Sequence, residues 1–233
     1  MQSILPLLVL AAFLLIFAAV IYAMLSSTRR DRERKLQAAQ ALGFSPLEPD
    51  PALVETISTI YRGLHDTSGR YELRNVSRKH INAGECYLLD LIHISNHESS
   101  YPETQAVAIL SPALHLPRFA LLPKLDMEGA AARLANQAIE WLIAKLGPKV
   151  DFTGCPDFDR RYIIGAPDPQ AVSDFFTPAL LNYLAHTSQF AVRANQDGFI
   201  FSLSNTQPKK TNLTLQVQSA LDVYDAFTRF SAR

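Results

Sequence analysis

Residues Ile4 to Leu25, ILPLLVLAAFLLIFAAVIYAML, form an unbroken run of 22 residues without a charge. As a helix such a run is ~33 Å long, enough to cross a hydrocarbon core of ~30 Å. It is apolar on every face, so it has no polar side to turn toward water if it packed on a soluble core. The run therefore predicts a transmembrane anchor over residues 1–27, with membrane lipid as its partner through residues 4–25. A cleaved signal peptide is the rival. Against it stand the missing basic n-region, an apolar run longer than the usual ~7–15 residues and no small-x-small site behind it.

The charges after the run set its direction. Arg29, Arg30, Arg32, Arg34 and Lys35 follow within one short stretch, interrupted by Asp31 and Glu33. Flanking Lys and Arg stay on the cytoplasmic side, and acidic residues count for little in that bias. The expected topology is a single-pass inner-membrane protein with its N-terminus out and the bulk of the chain in the cytoplasm. The basic collar also suits contact with anionic lipid, at ~1 kcal/mol per residue near the surface.

Taking the collar's five basic and two acidic side chains from 22 of each leaves 17 and 20, a balance near −3. A nucleic-acid domain would be clearly basic, so nucleic acid is not an expected partner. Two cysteines, Cys86 and Cys155, cannot build a disulfide framework and suit a reducing compartment. Asn75-Val76-Ser77 and Asn212-Leu213-Thr214 fit a glycosylation pattern that matters only in a secreted setting.

Beyond the anchor the spacing predicts a basic helical stalk over 28–43, rich in helix formers and stopped by Gly43. Three prolines between Phe44 and Pro51 then mark the start of a soluble domain, 44–233. Asp50 before Pro51 reads as an N-cap, with Leu53, Val54, Ile57 and Ile60 at helical spacing. Strands are expected over Gly69–Ser77, Glu85–Ser95, Thr104–Ser111 and Arg118–Pro123. The stretch Cys86–Ile94 is almost wholly apolar and should be covered on both faces. The short separations favour an antiparallel meander. Met127, Ala131, Leu134, Ala138, Trp141 and Leu142 predict a helix over Met127–Leu146, closed by Gly147 and Pro148. A strand is expected over Arg160–Ile164. Asp168-Pro169 opens a further helix, and Thr177-Pro178 splits its apolar stripe into two abutting helices. Phe190–Arg193 and Phe199–Leu203 flank Asn195-Gln196-Asp197-Gly198 as a hairpin. Leu213 to Phe227 carries a terminal amphipathic helix. The fold class expected is α+β: an antiparallel meander packed by helices behind a transmembrane anchor, ending in a hairpin and a helix.

Several pieces have a family likeness. Gly43-Phe44, Arg74-Asn75-Val76 and Leu116-Pro117-Arg118-Phe119 come first. Asp151-Phe152, Pro156-Asp157-Phe158, Tyr162 to Gly165 and a helix carrying Thr177-Pro178 follow. Together they resemble uncharacterised bacterial membrane proteins with one or two N-terminal spans and a cytoplasmic α+β domain. The resemblance implies that fold and location and assigns no activity. From the residues themselves, Phe152, Phe158, Tyr162, Phe175 and Phe176 form a core junction between sheet and helices, each worth ~1.5–3 kcal/mol on full burial.

Candidates for chemistry are few. Asp90, His93, His97 and Glu98 are the nearest approach to a metal set, since a catalytic zinc needs about three such ligands and an open position. They leave a strand for a loop, where no regular spacing brings them together. Asp151, Asp157 and Asp159 lack an EF-hand loop and suit turn capping. Cys155 has no visible base for a nucleophilic role. No cofactor is expected. The expected function is a membrane-anchored cytoplasmic module that binds a partner protein or organises a membrane complex. The alternatives are a membrane-bound metal-dependent hydrolase using His93, His97 and Glu98, and a lipid- or small-ligand-binding domain.

Overall fold

In the computed structural model, the described residues are 30, 32–62, 70–94, 104–124, 137, 139–140, 143–144, 147–152, 154–203 and 212–230. They form an α+β fold around one nine-stranded, wholly antiparallel sheet. The chain runs α1 (residues 32–41), β1 (Ser45–Pro46), α2 (Pro51–Tyr61), β2 (Arg70–Ile81), β3 (Gly84–Ile94), β4 (Thr104–Leu110) and β5 (Leu116–Pro123). After helical positions 139–140 and 143–144 it continues with β6 (Lys149–Val150), α3 (Pro156–Arg161), β7 (Tyr162–Gly165), α4 (Pro169–Phe175) and α5 (Pro178–His186). It closes with β8 (Phe190–Gln196), β9 (Gly198–Leu203) and α6 (Leu213–Phe230). Among the described residues no helix is long and apolar enough to cross a membrane. The run Ile4–Leu25 and Arg29 lie outside them.

The strand order is β1-β2-β3-β4-β9-β8-β5-β7-β6. The meander expected from the short connections holds for β2 to β4 and then breaks, because the β8–β9 hairpin is inserted between β4 and β5; β1, in the proline-rich stretch, is a strand not expected. The cause lies in β9. Gly198, Phe199, Ile200 and Phe201 are all buried, so both faces of this strand are apolar and it needs an interior place in the sheet. β3 obeys the same rule, with seven consecutive buried residues from Cys86 to Ile92.

Helices cover both faces. On one, α3 to α6 pack on Leu88, Val107, Phe119, Tyr162 and Phe201. On the other, Leu53, Ile57 and Ile60 of α2 meet Tyr71, Leu89 and Ile200, while Ile139 and Ile143 meet Ala120 and Ile163. The six positions expected to line the 127–146 helix lie outside the described residues. The aromatic junction is present: Phe176 contacts Phe119, Phe152, Phe158 and Phe175, and Phe158 stacks on Tyr162 at 5.4 Å.

The local signals set the helix ends. Asp50, Asp168 and Thr177 each accept a backbone N–H three residues on, ahead of a proline at N1. The strand expected from Arg160 instead begins at Tyr162. Pro156 starts α3, whose acids Asp157 and Asp159 sit in the first turn and Arg160 and Arg161 in the last. That order matches the helix dipole.

Candidate functional site

Seven residues in a row are buried along β3, and the fifth of them is Asp90. A carboxylate in such a run must find a cation or donors, since burying it bare costs far more than the run can supply. Two partners reach it. Lys35 Nζ of α1 lies 2.8 Å from Asp90 Oδ2, and Asn75 Nδ2 of β2 donates to the same oxygen at 2.6 Å. The Asp90 side chain is 2% exposed and that of Lys35 30%, so the ammonium plugs the carboxylate from the solvent side.

Asn75 gets there by a β-bulge. The register passes from Arg74↔Asp90 to Ser77↔Leu88, so two residues of β2 oppose one of β3. Asn75 takes the left-handed region at φ 50°, which asparagine tolerates better than most residues. The bulge also switches the parity of β2. Tyr71 and Leu73 before it, and Val76 after it, all face α2.

Lys35 is one of several fastenings on the segment behind the apolar run. Ala39 is buried in the main core. Gly43, at φ 82°, ends α1 with Phe44 N–H on Ala39 O at 3.0 Å and its own N–H on Gln40 O at 2.9 Å, a Schellman stop. Lys79 Nζ donates to Leu42 O at 2.8 Å and lies over the Phe44 ring. Ser45 and Pro46 then pair with Arg78 and Ser77. The helical stalk is thus docked on the sheet from Lys35 onward. Arg30, Arg32 and Arg34 remain exposed, while Lys35 turns inward.

The recess beside Asp90 has about 10 Å³ of space, room for at most one water. The carboxylate is therefore a fastening and not a ligand pocket. The other candidates do not gather around it. His93 stacks on Tyr71 at 4.8 Å on the α2 side of the sheet, whereas Asp90 faces α1. Three residues apart on one strand, the two point to opposite faces and cannot hold one metal ion. His97 and Glu98 lie outside the described residues. Among the described residues no three His, Cys, Asp or Glu side chains come close enough to share a metal. Asp151 pairs with Lys149 at 2.7 Å, and Asp157 with Arg160 at 2.8 Å. The amide of Asn75 is committed to Asp90, and Asn212 accepts the Leu215 N–H at 3.2 Å.

Burial pushes the Cys86 thiol up to about 12, while Cys155 is half-buried. Only a thiolate attacks an alkylating reagent. At pH 8 iodoacetamide is expected to modify Cys155 and spare Cys86 in the folded chain, with both reacting in denaturant. Mass spectrometry showing rapid native alkylation of Cys86 would mean that β3 is not shielded as described.

No protein-family model matches the chain, and no curated protein matches it. Among solved structures it is similar to the crystal structure of the mycobacterial trehalose monomycolate transport factor A, TtfA. The identity is 14% and the TM-score 0.44, over 84% of this chain and 92% of that one.

Proposed function

We propose that the chain is a membrane-tethered module that binds a partner protein or organises a membrane complex. Its 4–25 run is held in the lipid and its α+β domain lies on the cytoplasmic side. The observation that supports this reading is the clamp on Lys35. The last member of the basic collar is drawn out of the charged stretch and onto a buried carboxylate in the sheet. Residues 35–46 are thereby fastened to the domain, which shortens the free length between the apolar run and a partner bound to the sheet. A loose linker would serve a tether that only concentrates an enzyme near lipid. A docked one suits a scaffold.

Alkaline carbonate should leave the full chain in the membrane pellet, and deleting 4–25 should release it to the supernatant. A reporter fused after Arg233 should be active in the cytoplasm. Reporter activity confined to the periplasm, or a mature chain found in solution with its leader removed, overturns the reading.

A further inference from the structure

We propose that the cleft where the C-terminal end of α2 meets β5 and β8 is an oxyanion site, in which Arg62, Arg118 and Arg193 take a phosphate-type group. The proposal stands on a different face of the sheet from the Lys35 clamp and does not depend on the tether. The cleft is lined by Tyr61, Arg62, Arg118, Gly165, Pro167 and Arg193 among others. Arg118 Nη2 donates to Arg62 O at 2.8 Å, and Arg193 Nη1 donates to Tyr61 O. The Arg193 guanidinium lies 4.1 Å over the Tyr61 ring, so one of its faces is covered. Two guanidiniums thus sit on adjacent carbonyls of one helix end, and Arg62 itself lines the same cleft.

Capping alone does not account for that much charge. A helix C-terminus offers about half a negative charge. At the end of α5 one residue does the work: Arg161 donates to both Ala185 O and Thr187 O. At the end of α2 two full charges serve two carbonyls, and the residue that carries one of those carbonyls is itself an arginine. Each guanidinium has five N–H donors and does not deprotonate. Arg118 and Arg193 each make one of those hydrogen bonds within the described structure, and Arg62 makes none with its side chain. Among the described residues no carboxylate lies within ion-pair distance of any of the three. Like charges held this close call for a counter-anion, and planar forks with spare donors match the oxygens of a phosphate. The space at the floor of this half-open cleft is about 20 Å³, enough for one or two oxygens. The group seated there is therefore compact, or the exposed end of something larger. Inorganic phosphate and a phosphomonoester lipid headgroup share that chemistry.

The test uses the full chain, first in neutral detergent and then in phosphatidylcholine nanodiscs with or without phosphatidic acid. Inorganic phosphate is titrated against chloride at matched ionic strength, and the melting midpoint and calorimetric binding are read. A saturable rise with phosphate supports a soluble anion. A rise only in phosphatidic-acid nanodiscs supports a lipid headgroup. In either case Arg118→Gln should weaken binding about tenfold, the loss of one charge-assisted fork. Arg62→Gln should weaken it without moving the phosphate-free midpoint, because its side chain caps nothing. The absence of any saturable response beyond chloride in both arms overturns the site. So does wild-type affinity in both variants.

Discussion

Phe176→Ala is expected to destabilise the domain by about 3–5 kcal/mol, the usual cost of emptying a large aromatic site in a core. The ring is 2% exposed and caps α4, whose turn into α5 it fills. It touches Phe119 of β5 at 5.1 Å edge-on, Phe175 at 5.3 Å, Phe152 at 5.7 Å and Phe158 at 6.2 Å. These neighbours belong to a strand, two helices and the segment after β6, and each is held by its own element. None can move into the space without dragging backbone, so the cavity stays and its cost adds to the lost transfer energy. For a chain of this size the melting midpoint should fall by on the order of 10 °C. Phe176→Leu keeps most of the volume and should cost about 1–2 kcal/mol. An Ala variant melting within about 3 °C of wild type would show that the junction collapses freely and does not organise the helical layer.

The features visible in the sequence are those written within a few residues. Asp50, Asp168 and Thr177 could be read as caps because the bond each makes reaches only three residues on. Gly43 could be read as a stop because a Schellman turn is complete within six residues. The aromatic junction was visible because five of its rings lie between Phe152 and Phe176. Its other half was not, since Phe119, Phe190, Phe199 and Phe227 come from strands and a helix that the fold alone brings close. The six residues of α3 are too few for a periodic signal, and its cues are the proline at its start and its dipole-matched charges. The place of the β8–β9 hairpin was legible in principle from Phe199-Ile200-Phe201, three large apolar residues in a row where a half-covered strand would alternate. Asp90 is the clearest miss. The histidines that follow it make it a weak metal candidate, whereas the more telling fact is a lone carboxylate inside an apolar run. That fact demands a cation. It does not say which, and the answer lay 55 residues back in a stretch whose charges had a sufficient explanation as a topology signal.

Replacing Lys35 or Asp90 separates a fastening from an ordinary ion pair. Asp90→Ala removes the acceptor of two hydrogen bonds, one from an ammonium and one from an amide, worth about 1.5–3 kcal/mol each when charge-assisted. Part of that is offset, since the carboxylate no longer has to be desolvated and Lys35 can reach water. The net loss should be about 2–3 kcal/mol, spread between β2, whose bulge loses its anchor, and α1. Lys35→Met does something different. It leaves a carboxylate in the core with Asn75 alone, a state that costs several kcal/mol if nothing moves. α1 is the element that can move, because Ala39 is its buried side chain among the described residues and Phe44 just behind it is the next. Lifting it lets water reach Asp90, so the penalty cannot exceed the docking energy of α1 and β1. Global melting of Lys35→Met should therefore change little, while amide exchange over residues 32–47 speeds up at least about tenfold, a local loss of about 1.4 kcal/mol. The pair Lys35→Met with Asp90→Leu should bring the slow exchange back, since apolar groups of similar size can replace a buried ion pair without loss. Exchange in Lys35→Met as slow as wild type would mean that Ala39, Phe44 and the β1 pairing hold the segment unaided, and the docking of residues 32–47 on the sheet would lose its electrostatic basis.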